Sequence, residues 1–167
     1  MEGKRVRDSS VTIAQVMIPQ DANPSGNVHG GVIMKLIDTA AAVVASRHAR
    51  SNTVTASIDR IDFHHPVFVG DLLFFRAGLN FVGRTSMEVG VRVESENFIT
   101  GEVRHTASAY LTYVSLDKDG LPQAVPPLII DTEEEMRRNR EAKTRREVRL
   151  AERKQEAKCQ LDPGSCK

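Results

Sequence analysis

The sequence predicts an α+β domain in which one long apolar helix packs against a curved antiparallel sheet. Two observations favour this class. One internal segment of helical length is rich in apolar residues and contains no proline. It is followed by several long segments in which apolar and polar residues alternate, with turn signals between them. A single helix packed on one face of such a sheet is an α+β arrangement.

The first half of the chain gives one strand, one loop and the helix. Residues 11–18 read as a strand, and residues 19–28 form a loop dense in Asp, Asn, Pro, Ser and Gly. The helix is predicted over residues 30–49, whose core VIMKLIDTAAAVVASRHA lacks glycine and proline. This segment is too long for a typical strand and too apolar for a surface helix, so we expect other structure to enclose it.

The second half predicts a series of antiparallel strands. Residues 53–58 alternate, but Ile61 and Phe63 carry the apolar phase on the other parity, which indicates a bulge near Asp59 and Arg60. Further strands are predicted over residues 72–82, 85–94 and 103–114, with a hairpin connection at 97–101. The sheet face away from the helix would be wet unless something covers it, and a second subunit is the simplest cover.

The predicted domain spans residues 11–128, between an N-terminal tail (1–10) and a charged C-terminal helix or tail (129–167). Thr132 followed by Glu135 resembles a capping box. The residues after it are charged on nearly all sides. This segment is either a solvated helix with i,i+4 ion pairs or a frayed tail.

Composition and charge argue against several classes of partner. The formal net charge is +1, aromatic residues make up 5% and Trp is absent, so nothing favours nucleic-acid binding. No apolar run follows the basic N-terminus and none approaches the length of a membrane span, so we expect a cytoplasmic protein that does not bind membranes. Cys159 and Cys166 fit neither a zinc ribbon nor a CxxC pair, which favours tail thiols and no metal site.

The segment DANPSGNVHGGVIMKLID, residues 21–38, holds the candidate chemistry. Gly30 and Gly31 open the helix with unobstructed backbone N–H groups, which can hold an anion or a developing oxyanion. A tight turn without a ligand would show the same glycine pair. Asn23 could orient a water or a carbonyl, and it is also a common turn residue. His29 could contact a ligand or be satisfied locally.

Asp38 lies about two turns into the helix, among apolar neighbours. An ionised carboxylate buried there is costly unless it is paired or used. Burial would raise its pKa and make it a better general base. The alternative is a polar stripe in which Lys35 pairs with Asp38 at i,i+3, and the helix pattern alone favours that alternative.

The same segment resembles the helix-entry motif of hotdog acyl-CoA thioesterases of the cytosolic acyl-CoA hydrolase group. The resemblance continues through TVTASIDRIDFHHPVFVGDLL, RTSMEVGVRVESENFITGE, ASAYLTYVSLDKDG and VPPLI, and covers about residues 11–146. It implies a hotdog fold, in which a long antiparallel sheet wraps around a central helix. It also implies that two domains pair edge to edge and that three pairs assemble into a hexamer.

The resemblance further implies hydrolysis of acyl-CoA to free fatty acid and coenzyme A, without a cofactor or a serine nucleophile. Asn23 and Asp38 match the catalytic residues of the group, with Asp38 contributed by one subunit and Asn23 by its neighbour. Asp38 would act as a general base on water or, as the alternative, as a nucleophile. The implied substrate contacts are His29, Gly30 and Gly31 for the thioester carbonyl, and Arg84, Thr85 and Ser86 for the coenzyme A nucleotide.

Two other functions compete with hydrolysis. A hotdog hydratase or dehydratase would use a carboxylate with His29, and incubation with an enoyl-CoA would separate hydration from thiol release. A non-catalytic acyl-CoA sensor would regulate a DNA-binding module. Only a short segment precedes Val11, too little for a helix-turn-helix, and the charged tail mixes signs.

Overall fold

Residues 1–161 are described by a computed structural model, with side chains through Gln160. The end of the predicted C-terminal tail, with Cys166, lies outside these residues. In chain order the elements are β1 (Lys4–Arg5), α1 (Val6–Ser9), β2 (Val11–Val16), a 3₁₀ turn (Pro19–Asp21), α2 (Gly30–Ala49), β3 (Asn52–Phe63), β4 (Leu72–Val82), β5 (Ser86–Asn97), β6 (Glu102–Leu116), β7 (Leu128–Ile129) and α3 (Glu133–Leu161).

Helix α2 is the central helix, and its bounds match the predicted range. Its first turn is capped by His29. Its C-terminal cap is Arg50, which adopts the left-handed conformation with φ of 56° and donates its N–H to the carbonyl of Ser46. The enclosed side of the helix carries Ile33, Ile37, Ala40, Ala41, Val44, Ala45 and His48. The small alanines in this set let the sheet approach the helix closely.

Five antiparallel strands form the main sheet in the order β2-β4-β5-β6-β3. Their alternating residues place one row of apolar side chains against α2, including Leu73, Phe75, Val89 and Leu111, all fully buried. The predicted fold class is confirmed: the sheet wraps a central helix as in the hotdog fold. The predicted irregularity in β3 is also present, with register shifts at residues 55–57 and 58–60.

The N-terminal segment is folded, whereas the sequence suggested a tail. Lys4 pairs with Leu128 in a two-stranded parallel sheet of β1 and β7. The Lys4 ammonium donates to the carbonyl of His48 at 2.6 Å. The Arg47 guanidinium donates to the carbonyls of Asp8 and Ser10. These partners are distant in sequence, so no local pattern in residues 1–10 could predict that this segment is ordered.

Helix α3 lies on the sheet face that points away from α2. Arg145 of α3 donates to both carboxylate oxygens of Glu88, which is only 3% exposed. Its guanidinium also stacks 3.8 Å from the ring centroid of Tyr110. The predicted capping box is confirmed, since the Thr132 hydroxyl accepts from the Glu135 N–H at 3.2 Å and the Glu135 carboxylate accepts from the Thr132 N–H. The chain's own helix therefore covers a face that we expected a second subunit to cover.

Candidate active site

Asp38 is held by two neutral hydroxyl groups from the sheet. Its Oδ1 accepts a hydrogen bond from the Tyr113 hydroxyl at 2.6 Å and from the Thr55 hydroxyl at 2.8 Å. The Tyr113 hydroxyl also lies 2.9 Å from the Asp38 backbone oxygen. Within residues 1–161, Asp38 forms no ion pair, so the predicted alternative of a pair with Lys35 is not what the structure has. The carboxylate is half-buried rather than enclosed.

The sheet register explains why these two hydroxyls meet at Asp38. Thr55 of β3 pairs with Tyr113 of β6, which in turn pairs with Met87 of β5, so the three residues form one row beside α2. Tyr113 is 1% exposed. Burial and, second, the hydrogen bond to Asp38 raise the pKa of the Tyr113 phenol. The phenol is therefore a protonated donor at neutral pH.

Asn23 organises the loop that enters α2. Its side-chain oxygen accepts from the backbone N–H groups of Ser25 at 2.9 Å and Asn27 at 3.3 Å. These bonds support the interpretation of Asn23 as a turn residue. They leave its side-chain nitrogen with no acceptor among residues 1–161, and Asn23 does not contact Asp38 of the same chain. The structure therefore does not bring the two predicted catalytic residues together within one chain.

His29 caps α2 through its ring. Its Nδ1 accepts the Gly31 N–H at 2.9 Å, so the Gly31 amide is already used. The Gly30 N–H lies in the first turn, where a helix offers no i−4 carbonyl. Of the two predicted oxyanion donors, the Gly30 N–H is the one without an acceptor among residues 1–161. A hydratase would need the His29 ring for proton transfer, whereas here the ring completes the helix terminus.

The residues predicted for coenzyme A lie beside α3. Thr85 and Ser86 line a cleft of about 780 Å³ between the sheet and the second half of this helix. Arg84 does not line the cleft, and its carbonyl accepts the N–H of Val125. The cleft also carries five arginines, at positions 60, 145, 146, 149 and 153. Three of them already have carboxylate partners: Arg60 pairs with Asp62, Arg145 with Glu88 and Arg149 with Asp59. Cationic groups on α3 thus lie near two of the three predicted residues.

Proton transfer and hydrogen bonding are the chemistry that these side chains offer. Within the described part of the chain, no cluster of three or more His, Cys, Asp or Glu side chains is arranged to hold a metal ion. No helix between residues 1 and 161 combines the length and the apolar character that crossing a membrane requires.

The fold and the site together describe the class of this protein: a hotdog domain whose central helix carries a hydroxyl-bound carboxylate. The sequence profile of the Thioesterase superfamily matches residues 25–101. A hexameric acyl-CoA thioesterase of known structure is 40% identical and has a TM-score of 0.88, with 91% of this chain and 97% of that chain covered. The chain belongs to the thioesterase superfamily and is homologous to its acyl-CoA hydrolases, which confirms the resemblance stated above.

Two further relatives bear on substrate and location. The acyl-CoA hydrolase of Staphylococcus aureus, solved with butyryl coenzyme A, coenzyme A and coenzyme A disulfide, is 34% identical over 95% of this chain and 96% of that one, with a TM-score of 0.87. The cytosolic acyl coenzyme A thioester hydrolase of Mus musculus is 38% identical over 146 residues. That match covers 86% of this chain and 38% of the mouse protein.

The S. aureus hydrolase has also been solved as three alanine variants, in which an Asn, an Asp or a Thr is replaced. The replaced Asn and Asp are 15 residues apart, and the Asp and Thr are 17 apart. Asn23, Asp38 and Thr55 have the same spacing. Neither Thr55 nor Tyr113 stands out as a functional residue in the sequence. The available signal for Tyr113 was a phenol at the end of an apolar row, where its hydroxyl needs a partner.

Proposed function

We propose that this protein hydrolyses acyl-CoA thioesters to free fatty acid and coenzyme A, with Asp38 as the general base. One observation carries the proposal: the Asp38 carboxylate is held by neutral hydroxyls and has no cationic partner among the described residues. A carboxylate in a structural ion pair would be a poor base, whereas this one has only neutral partners and is half-buried, so a water can approach it. The matching Asn, Asp and Thr spacing in the S. aureus hydrolase supports the same assignment.

We further propose that each active site is shared between two subunits. A helix rises about 1.5 Å per residue, so Asp38 lies roughly 12 Å along α2 from Gly30 of its own chain. One thioester carbonyl cannot contact both at hydrogen-bonding distance. A site made of Asp38 from one subunit, and of Asn23 and the Gly30 terminus from another, removes this conflict.

The sheet edge supplies the surface for such a pairing. Strand β3 is the last strand of the sheet, and Thr55 lies on it. The exposed apolar side chains of Val54 and Ile58 lie on this edge strand. An unpaired edge with exposed apolar residues favours association with another strand. A dimer formed here, assembling further to a hexamer as in the hexameric relative, is the assembly that we propose.

The proposed reaction proceeds by water attack. Asp38 removes a proton from water while the oxygen of that water bonds to the thioester carbon. The carbonyl oxygen becomes an oxyanion at the helix terminus, where the Gly30 N–H donates, and Gly31 can join only if the His29 ring turns away. The side-chain nitrogen of Asn23 donates to the water or to the carbonyl. Collapse of the intermediate breaks the carbon–sulfur bond, and the coenzyme A sulfur takes the proton. Direct nucleophilic attack by Asp38 is the alternative.

The nucleotide of coenzyme A would lie in the cleft beside α3. Thr85 and Ser86 offer hydroxyls there, and the arginines of α3 offer charge for phosphates. Arg84, which does not line the cleft, would act at its margin. The reaction needs no cofactor, because base, oxyanion donors and leaving-group contacts all come from the chain. We propose a cytoplasmic location by similarity to the cytosolic mouse enzyme.

Thiol release from acyl-CoAs of graded length tests the proposal. Asp38→Asn should lower kcat by roughly 10³-fold or more, because the base is lost. Asn23→Asp keeps the oxygen that accepts from Ser25 and Asn27 but removes the amide donor, so it should lower kcat by roughly 10²-fold without unfolding the loop. Size-exclusion chromatography controls for assembly. Near-wild-type turnover in both folded variants would refute the assignment.

A further inference from the structure

We propose that Tyr113 is a positioning residue for hydrolysis: with Thr55 it fixes Asp38 Oδ1, which directs the other carboxylate oxygen, Oδ2, towards the attacking water. This inference rests on the proposed function of Asp38. Tyr113 itself would not touch the substrate, since it is buried between β6 and α2.

Two of the three contacts of the site act on the terminal torsion of Asp38. The terminal torsion of an aspartate is soft, so an unrestrained carboxylate samples many orientations. Here two hydroxyls donate to a single oxygen, at 2.6 and 2.8 Å. Tyr113 also lies 2.9 Å from the backbone oxygen of Asp38, which ties β6 to the helix at this residue. No residue between 1 and 161 donates to Oδ2. The base is thereby oriented before the substrate binds.

A packing role alone does not account for the hydroxyl. Tyr113 continues the buried row formed by Ala107, Ala109 and Leu111, and a phenylalanine would fill the same space. The hydroxyl is what distinguishes tyrosine from phenylalanine there, and it donates a hydrogen bond to Asp38. A neutral donor also suits a general base better than a cation would, because it fixes the carboxylate without neutralising it.

The second tyrosine of the chain provides a matched control. Tyr110 lies on the same strand but on the opposite sheet face, where Arg145 stacks on its ring. Tyr110→Phe removes a hydroxyl and keeps the stacking ring. It lies outside the proposed catalytic and binding residues, so its kinetics should be those of the wild type.

The decisive comparison is Tyr113→Phe against Tyr110→Phe in the full oligomer, with butyryl coenzyme A as the substrate. We expect Tyr113→Phe to lower kcat by roughly 10- to 100-fold, the usual range for losing a hydrogen bond to a charged group, with KM changed less than twofold. A merely structural role would change the unfolding midpoint but leave kcat per folded enzyme intact. Wild-type kcat in folded Tyr113→Phe would overturn the inference.

A variant that keeps the side chain guards against a folding defect. In the Tyr110→Phe background, 3,5-difluorotyrosine enters only at Tyr113 and retains its hydroxyl. The more acidic hydroxyl binds Asp38 more tightly and weakens it as a base, so kcat should fall at least about twofold with KM unchanged. The fluorine resonance of this residue should also move in Asp38→Ala. A kcat unaffected by fluorination together with an unmoved resonance would refute the role of Tyr113.

The outcomes for Tyr113 and Asp38 are separable. An active Asp38→Asn enzyme would refute the proposed function itself. An inactive Asp38→Asn enzyme combined with a fully active, folded Tyr113→Phe enzyme would leave hydrolysis by Asp38 in place and remove only the positioning role.

Discussion

The two faces of the sheet are held by different forces. The face towards α2 is a continuous apolar layer, broken at Asp38 by the hydroxyls of Thr55 and Tyr113. The face towards α3 is held by polar contacts, with Glu88 buried beneath Arg145. On the first face the polar exception is available for chemistry, and on the second the polar contacts are the means of attachment. Polar groups on the two faces should therefore differ in what their loss costs.

On the face towards α3, which we call the far face, hydrogen bonds connect the strands to the helix without a break. Asn80 donates to the same Glu88 oxygen that Arg145 Nη2 contacts, and Asn139 of α3 donates to the carbonyl of Asn80 at 2.8 Å. Gly90 allows this arrangement, because a Cβ there would come within 2.6 Å of the Asn80 side chain. The helix is thus seated by a few specific bonds rather than by an apolar stripe, and removing one member should release it.

The largest effect on stability should come from the apolar face. Leu111→Ala removes a side chain that is 0% exposed, and it should lower the free energy of unfolding by about 4 kcal/mol through lost burial and a residual cavity. Urea unfolding followed by circular dichroism measures this. A loss below about 1 kcal/mol would mean that the layer is not packed as described.

Removing a single charged side chain from the far face should lower the free energy of unfolding by nearly as much. Arg145→Ala leaves the Glu88 carboxylate buried without its cation, and it should cost about 3 kcal/mol in the same urea experiment. The matched control is Arg138→Ala on the same helix, whose pair with Glu134 is solvent-exposed. If Arg145→Ala is no worse than this control, the seating of α3 by Glu88 is wrong.

Acid should destabilise the protein through His48. Its Nε2 lies 2.7 Å from the carbonyl oxygen of Pro126, and its Nδ1 is buried without a partner among residues 1–161. Burial lowers the pKa of His48 below its ordinary value of 6.5. The unfolded chain therefore binds this proton more readily, so stability falls as pH drops below about 6.5. His105, whose pKa burial also lowers, adds in the same direction.

Replacing His48 isolates its share of this pH dependence. His48→Gln keeps a side-chain N–H for the Pro126 carbonyl but does not titrate. The slope of the unfolding midpoint between pH 6.5 and 5 should become shallower in this variant. An unchanged slope would assign the acid sensitivity to other groups.

The smallest effect is expected from Arg138→Ala itself. Its ion pair with Glu134 is an exposed i,i+4 pair on α3, so the free energy of unfolding should change by no more than about 0.5 kcal/mol. Differential scanning calorimetry at low and high salt checks this. A cost above 1 kcal/mol would show that the outer face of α3 also contributes to the far-face attachment.

The sheet face towards α2, the near face, could be predicted from the sequence, because its buried residues recur with the period of the strand or helix that carries them. Strand β4 and helix α2 were placed to the residue, and the parity change in β3 located its irregularity. Asp38 stood out because a carboxylate among apolar residues is costly. Asn23 was assigned to catalysis only through the resemblance, since an isolated Asn before Pro is an ordinary turn residue.

The far face could not be predicted in the same way. Arg145 and Asn139 sit in a helix with charges on nearly all sides, so neither looks different from its solvated neighbours. Glu88 alternates as an outward residue and gives no sign that it is buried. Tyr113 follows an apolar row, so the pattern predicts a core residue and gives no indication of what its hydroxyl binds. Contacts between distant segments decide each of these cases.

Mixed oligomers test the central claim, a hydrolytic site shared between subunits, most directly. Asp38→Asn and Asn23→Asp chains, each with turnover at or below about a hundredth of the wild type alone, are co-expressed in equal amounts and thiol release is measured. By the symmetry of a two-fold pairing, about a quarter of the sites should combine an intact Asp38 with an intact partner Asn23, restoring about a quarter of wild-type turnover. Activity that stays at the level of the separate variants would contradict the shared site.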